Sequence, residues 1–156
     1  MEGRTVGQDL QGHRYVLPHW SSILPTHRLT IADPGTGADI GTCPEFTASD
    51  TDAAITAAAE AFPSFKTLTG RERARLLRRW YDEMVKNAED IATLITWENG
   101  KPLADAKGEA TYAANFFEWF SEEAPRLYGD TIPATVPGNR VFTTKEPVGV
   151  CGLITP

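Results

Sequence analysis

Residues 102–125 carry the pattern that most restricts what this chain can fold into. Leu103, Ala106, Ala110, Ala113, Phe117, Phe120 and Ala124 recur at alternating steps of three and four, which places one continuous apolar stripe along a helix. Pro102 suits the first helical position, and Pro125 stops the run. Tyr112, Phe116 and Trp119 form a second stripe beside the first. A helix apolar on two adjacent faces has to be covered on more than one side, so this segment predicts a packed layer and not a surface helix.

The neighbouring segments are read from their start and stop signals. Residues 28–33 and 38–43 predict the two strands of a hairpin, with Pro34-Gly35-Thr36-Gly37 as the turn. Ser49 or Asp50 can cap a first helix that runs toward Pro63. Thr69 and Glu72 have the spacing of a capping box and open a second helix, with Ala74, Leu77, Tyr81 and Met84 inward and Leu76 and Trp80 alongside. Asn87 can cap a third helix over 88–98, with Ile91, Leu94 and Ile95 inward, and Asn99-Gly100 ends it. Residues 128–134 and 141–147 predict strands either side of a turn at Pro137-Gly138-Asn139. Residues 1–27 are irregular, with one short strand near 15–17.

The C-terminal run is unusual. Val150, Leu153 and Ile154, introduced by Pro147 and Gly149, read as a buried strand of a parallel sheet. A core strand in that position lacks its neighbours or borrows them from another chain, so the expectation is a domain cut short after Pro156. On pattern alone the class is α+β, or an α/β domain cut short, because helices dominate the middle and strands the two ends.

Composition bounds the function. The 156 residues carry a formal net charge of -6, which opposes binding to nucleic acid or to an anionic membrane surface. No apolar run reaches the roughly 20 residues of a membrane helix, and residues 1–11 have no apolar signal core. Cys43 and Cys151 fit neither a metal spacing nor a disulfide framework, so the expected compartment is reducing and cytoplasmic. Cys151, inside the apolar strand, reads as a small core residue. Arg71, Arg73, Arg75, Arg78 and Arg79 read as a solvated helix face balanced by nearby acids, and Glu118, Glu122 and Glu123 as the polar side of the fourth helix. His13, His19 and His27 have no ligand-spaced partner, so no metal site is expected.

Several stretches together resemble one family. Glu98-Asn99-Gly100-Lys101-Pro102-Leu103, the hairpin turn at 34–37, Glu146-Pro147-Val148-Gly149-Val150 and Ile154-Thr155-Pro156 are similar to segments of aldehyde dehydrogenases. Gly108-Glu109, Tyr112, Phe117-Glu118-Trp119-Phe120-Ser121-Glu122-Glu123-Ala124 and Tyr128-Gly129-Asp130-Thr131-Ile132-Pro133 resemble the succinate-semialdehyde subgroup. The resemblance covers about 30–156 and the first third of a family member.

The resemblance implies the N-terminal part of a cofactor-binding domain: hairpin, four helices, arm strands over about 128–147 that join subunits, and the first buried sheet strand. Its domain reading is an irregular segment 1–27 followed by an incomplete domain 28–156. It implies NAD(P)-dependent oxidation of an aldehyde such as succinate semialdehyde. Ile154, Thr155 and Pro156 match the strand end that lines the nicotinamide-side ribose of NAD or NADP. Tyr112 and Phe116 match the helix bordering the substrate funnel. The oxyanion Asn, the general-base Glu and the nucleophilic Cys of the family all match positions outside this sequence, so the 156 residues are expected to be inactive alone. The alternatives are a non-enzymatic partner that docks onto a full-length dehydrogenase as a homo- or hetero-oligomer, and a truncated product without function.

Overall fold

The structure, a computed structural model, describes residues 27–155. The expectations for 1–26, including the strand near 15–17, His13 and His19, and the expectation for Pro156 lie outside the described residues. The elements in chain order are β1 (Arg28–Ala32), β2 (Asp39–Pro44), α1 (Ala48–Phe65), α2 (Gly70–Lys86), α3 (Ala88–Asn99), α4 (Leu103–Glu123), a single 3-10 turn (Ala124–Arg126), β3 (Thr131–Ile132) and β4 (Val141–Phe142). The described residues fall into two compact units, one of 27–53 and 83–114, the other of 54–82 and 115–155.

In the first unit β1 and β2 pair antiparallel, Arg28 opposite Pro44 and Ile31 opposite Gly41, with a register shift between Ile31 and Ala32. The turn is organised by Asp33, whose role is additional to the Pro and Gly signals. Its carboxylate accepts from Gly35 N at 2.7 Å and from Thr36 Oγ1 at 2.9 Å, and Gly37 N donates to Asp33 O at 2.7 Å. At the start of α1 the cap is Thr47, upstream of the expected Ser49 or Asp50. The Asp50 carboxylate accepts from Thr47 N and Thr47 Oγ1, both at 2.7 Å, so Asp50 is the third helical residue of a capping box. Asn87 does not cap α3 with its side chain. Its Nδ2 donates back to Glu83 O at 2.7 Å and satisfies a carbonyl at the end of α2.

Helix α3 ends as its sequence predicts. Gly100 has φ of 69° and donates its N–H to Thr96 O at 2.9 Å. A side chain here would be strained by that φ, and its Cβ would lie 3.0 Å from Pro34 Cγ on the hairpin turn. Ala92 is fully buried, and Ile91 and Ile95 are half-buried. Leu94, expected inward, is exposed. In α4, Ala106 is fully buried, and Ala110 and Ala114 are 3% and 2% exposed. Lys107 Nζ reaches Glu89 Oε2 of α3 at 2.7 Å, and Lys101 pairs with Glu109.

In the second unit the capping box of α2 forms as expected. Glu72 Oε2 accepts from Thr69 N at 2.7 Å and from Thr69 Oγ1 at 2.8 Å, and Glu72 N returns a bond to Thr69 Oγ1 at 3.3 Å. Ala74, Leu77 and Tyr81 are half-buried, and Leu76 and Trp80 are exposed. Trp80 meets Phe117 of α4 with ring centroids 4.4 Å apart and planes inclined by 35°. Ser121 and Ala124 are the buried positions at the end of α4 and in the following turn.

The strands after α4 are shorter than predicted. Only Thr131–Ile132 and Val141–Phe142 pair, with Thr131 opposite Phe142. Below them Gly129 presses against the partner backbone, where a Cβ would meet Thr143 O at 1.8 Å. Thr143 fills the space where the ladder would continue: its N donates to Asp130 O at 2.9 Å and its Oγ1 accepts from Asp130 N at 2.8 Å. Pro133, Pro137 and Pro147 lack donors, which limits extension at the other ends. Residues 143–155 form no strand, and Val148, Leu153 and Ile154 are almost fully exposed. The expected parallel strand is therefore absent among the described residues. A ladder needs a neighbouring backbone, and no described segment pairs with 148–155.

The α4 stripe is also narrower than its sequence suggests. Its buried members are Ala106, Ala110 and Ala124, whereas Leu103 and Phe120 are exposed and Ala113 and Phe117 half-buried; Ala114 and Ser121, outside the stripe, are buried instead. Among the described residues every fully or nearly fully buried side chain is Ala or Ser.

Two outcomes follow. Enlarging Ala110 to Leu should destabilise by about 1–3 kcal/mol through overpacking. Ala104→Leu, on the exposed face of the same helix, should stay within about 0.5 kcal/mol. Urea melts of the two variants check this.

The turn and cap carboxylates set an acid limit. Hydrogen bonds from Gly35 and Thr36 hold Asp33 below its ordinary 3.8, those from Thr47 hold Asp50 below the same value, and those from Thr69 hold Glu72 below its ordinary 4.5. These depressed groups contribute stability that is complete above the ordinary values and lost as pH falls through the native ones. The urea midpoint should be level from neutrality to about pH 5 and then drop on acidification. Asp33→Asn, Asp50→Asn and Glu72→Gln combined should flatten that drop.

Candidate functional site

Two groups of residues were singled out by the sequence. Tyr112 and Phe116 stand one turn apart on α4, and Trp119 continues their face. All three side chains are exposed, Tyr112 at 64% and Trp119 at 61%. The expectation that this second stripe would be covered is not met among the described residues. Single units this small have few layers, and the small-residue face takes the close packing.

Ile154 and Thr155 lie on the irregular segment that ends the described chain, with Ile154 wholly exposed. As a dinucleotide contact this is an incomplete set: one apolar side chain, one hydroxyl and the backbone between them. The sequence offers no glycine-rich phosphate cradle to extend it.

The cysteines also differ from expectation. Cys151 is exposed and not a core residue, because its segment has no sheet to enter. Its Sγ donates weakly to Gly149 O at 3.6 Å. Cys43 is half-buried in β2, opposite Leu29 of β1. Neither thiol has a base within hydrogen-bond reach among the described residues. Among the same residues no group of three or more His, Cys, Asp or Glu is placed to hold a metal ion. One buried hydroxyl, Thr96 Oγ1 in α3, has no hydrogen-bond partner there.

The arginine cluster behaves as a balanced helix face. Arg78 reaches Asp82 Oδ1 at 3.4 Å and Glu118 Oε1 of α4 at 3.2 Å, and its guanidinium lies 4.8 Å from the Tyr81 ring centroid. Arg73 donates to Leu68 O at the entry of α2. Glu123 pairs with Arg126 at 2.7 Å and raises the Arg126 pKa further. Glu118 and Glu123 thus each pair with an arginine. The Arg78 pairing with Glu118 links positions 40 residues apart, and a single sequence carries no local signal for it.

Comparison with known proteins gives this framework its relatives. The aldehyde dehydrogenase family model matches residues 22–156. The chain is 49% identical over 142 residues to glutarate-semialdehyde dehydrogenase of Pseudomonas aeruginosa, covering 91% of this chain and 29% of that protein. It is 53% identical over 126 residues to the NADP(+) succinate-semialdehyde dehydrogenase of Saccharomyces cerevisiae, covering 81% of this chain and 25% of that one. The crystal structure of succinate-semialdehyde dehydrogenase from Burkholderia pseudomallei superimposes with a TM-score of 0.76 at 46% identity, over 80% of this chain and 26% of that chain. The sequence thus spans between a quarter and a third of the length of these relatives. Its four helices and small antiparallel sheets match the N-terminal part of their Rossmann-like domain. The chain belongs to the aldehyde dehydrogenase family.

Proposed function

We propose that these 156 residues are the N-terminal framework of a cytoplasmic NAD(P)-dependent dehydrogenase for a short aldehyde that also bears an acidic group, such as succinate semialdehyde. The observation that carries this is the 53% identity with the yeast succinate-semialdehyde enzyme, together with 49% with the Pseudomonas glutarate-semialdehyde enzyme. A 3-sulfolactaldehyde dehydrogenase of Pseudomonas putida, 44% identical, extends the pattern to another short aldehyde with an anionic group.

In this reading residues 28–156 belong to one cofactor-binding domain. Tyr112 and Phe116, both exposed on α4, border the substrate path. Ile154, Thr155 and Pro156 touch the cofactor on its ribose side. NAD(P)+ supplies the hydride acceptor when bound, and the residues here only help to position it. Residues 128–147 form part of a subunit-joining arm, consistent with a two-stranded sheet whose outer edges are open. Neither Cys43 nor Cys151 is the nucleophile, so the 156 residues on their own do not turn over substrate.

The test is a fusion. The 156-residue chain is assayed alone, and again joined at Pro156 to the remaining sequence of the Saccharomyces cerevisiae relative. NAD(P)H formation is followed with succinate semialdehyde, glutarate semialdehyde and unsubstituted aldehydes. The expected result is no turnover by the chain alone and turnover by the fusion with a preference for the acidic semialdehydes. Turnover by the chain alone, or a folded fusion that favours unsubstituted aldehydes, contradicts the proposal.

A further inference from the structure

The junction between α3 and α4 holds a chemically labile pair that the proposed function does not use. Asn99 is exposed and is the last residue of α3, and Gly100 follows it. The sequence has no other Asn-Gly pair. Asn-Gly is intrinsically reactive because glycine places no side chain in the way of its own nitrogen. The Gly100 nitrogen can attack Asn99 Cγ, forming a C–N bond. The side-chain amide nitrogen leaves as ammonia, carrying the proton lost by the Gly100 N–H. The product is a five-membered succinimide. Water then opens either imide bond, leaving an aspartyl residue at this position, in ordinary linkage or as isoaspartate.

Ring closure requires Asn99 Cβ and the Gly100 nitrogen to come nearly eclipsed about the Asn99 Cα–C bond. Helical dihedrals at Asn99 hold them well apart. The Gly100 N–H is also engaged, donating to Thr96 O at 2.9 Å. The glycine is pinned by its φ of 69° and by Pro34, which lies where a side chain would begin. The feature that makes the pair reactive, an unhindered glycine, is therefore the feature that builds the cap protecting it.

We infer that Asn99-Gly100 is a deamidation site held closed by the native cap of α3 and opened when the last turn of that helix frays. The modification does not revert, because the amide nitrogen is lost as ammonia. A succinimide leaves the Gly100 nitrogen without a hydrogen, so its bond to Thr96 O cannot re-form. Isoaspartate inserts an extra carbon into the main chain between α3 and Gly100, which moves the glycine off Pro34. Each product removes the restraint that slowed its formation, so the site works as a one-way record of local unfolding.

The experiment ages the full chain at mildly alkaline pH, in buffer and in concentrated urea. Peptide mapping by mass spectrometry then follows residue 99, with isoaspartate distinguished by enzymatic methylation. In urea, conversion should concentrate at Asn99 ahead of Asn87, Asn115 and Asn139. In buffer it should be slower by about tenfold or more, the factor set by a local opening free energy above roughly 1.4 kcal/mol. Asn99→Gln should abolish the isoaspartate signal while leaving the melting curve of unaged chain unchanged. Equal rates in buffer and urea would overturn the protective role of the cap. Conversion in urea that does not favour Asn99 would overturn the site itself.

Discussion

Close approach at small side chains is the constraint on which the helical part of this chain depends. The buried positions of α4 are Ala106, Ala110, Ala114 and Ser121, and Ala124 follows in the next turn. With no large group at these positions, a neighbouring backbone can come near enough to exclude water. Larger side chains are set to the flanks. Phe117 stacks on Trp80 of α2, and Lys107 spans to Glu89 of α3. Each of these contacts lies within one of the two units. Bulk added at the small side chains costs more than bulk removed from the exposed rings.

The starts and turns of the other elements are set by short-range polar bonds. Thr47 with Asp50, Thr69 with Glu72, and Asp33 with Gly35 and Thr36 each satisfy backbone donors that would otherwise be orphaned. At the other end of α3, Gly100 satisfies a carbonyl and lies against the hairpin turn at Pro34. The hairpin, α3 and the start of α4 are thereby tied together within one unit by turn and cap chemistry as much as by apolar burial.

These short-range bonds explain what could be read from the residues alone. The Thr69 capping box, the Gly100 stop and the hairpin turn each depend on partners within four residues, so their sequence pattern carries them. Thr47 was legible by the same spacing, Thr47 to Asp50, but Ser49 and Asp50 are themselves good capping residues and mask it. Asn87 has the right chemistry for a cap, and its side chain is drawn to the α2 carbonyl of Glu83 instead. Exposure was less legible. Periodicity shows which residues share a face and not what covers it, so Phe120, Leu94 and the Tyr112 face were expected to be more buried than they are. The segment 148–155 has the composition of a buried strand, but a strand is a property of two backbones. The family resemblance was legible because Glu98 to Leu103 and 117–133 are distinctive runs, and of the site residues it suggested Tyr112, Phe116, Ile154 and Thr155 are exposed.

Native-state hydrogen exchange on the full chain tests the central role of the small-residue face most directly. The slowest-exchanging amides should belong to α4 between Ala106 and Ala124, with Ala92 and its neighbours in α3 next. Those of β3, β4 and 143–155 should exchange fastest. Protection that peaks in β3 and β4 or in 143–155, or that is uniform along the chain, would contradict the account.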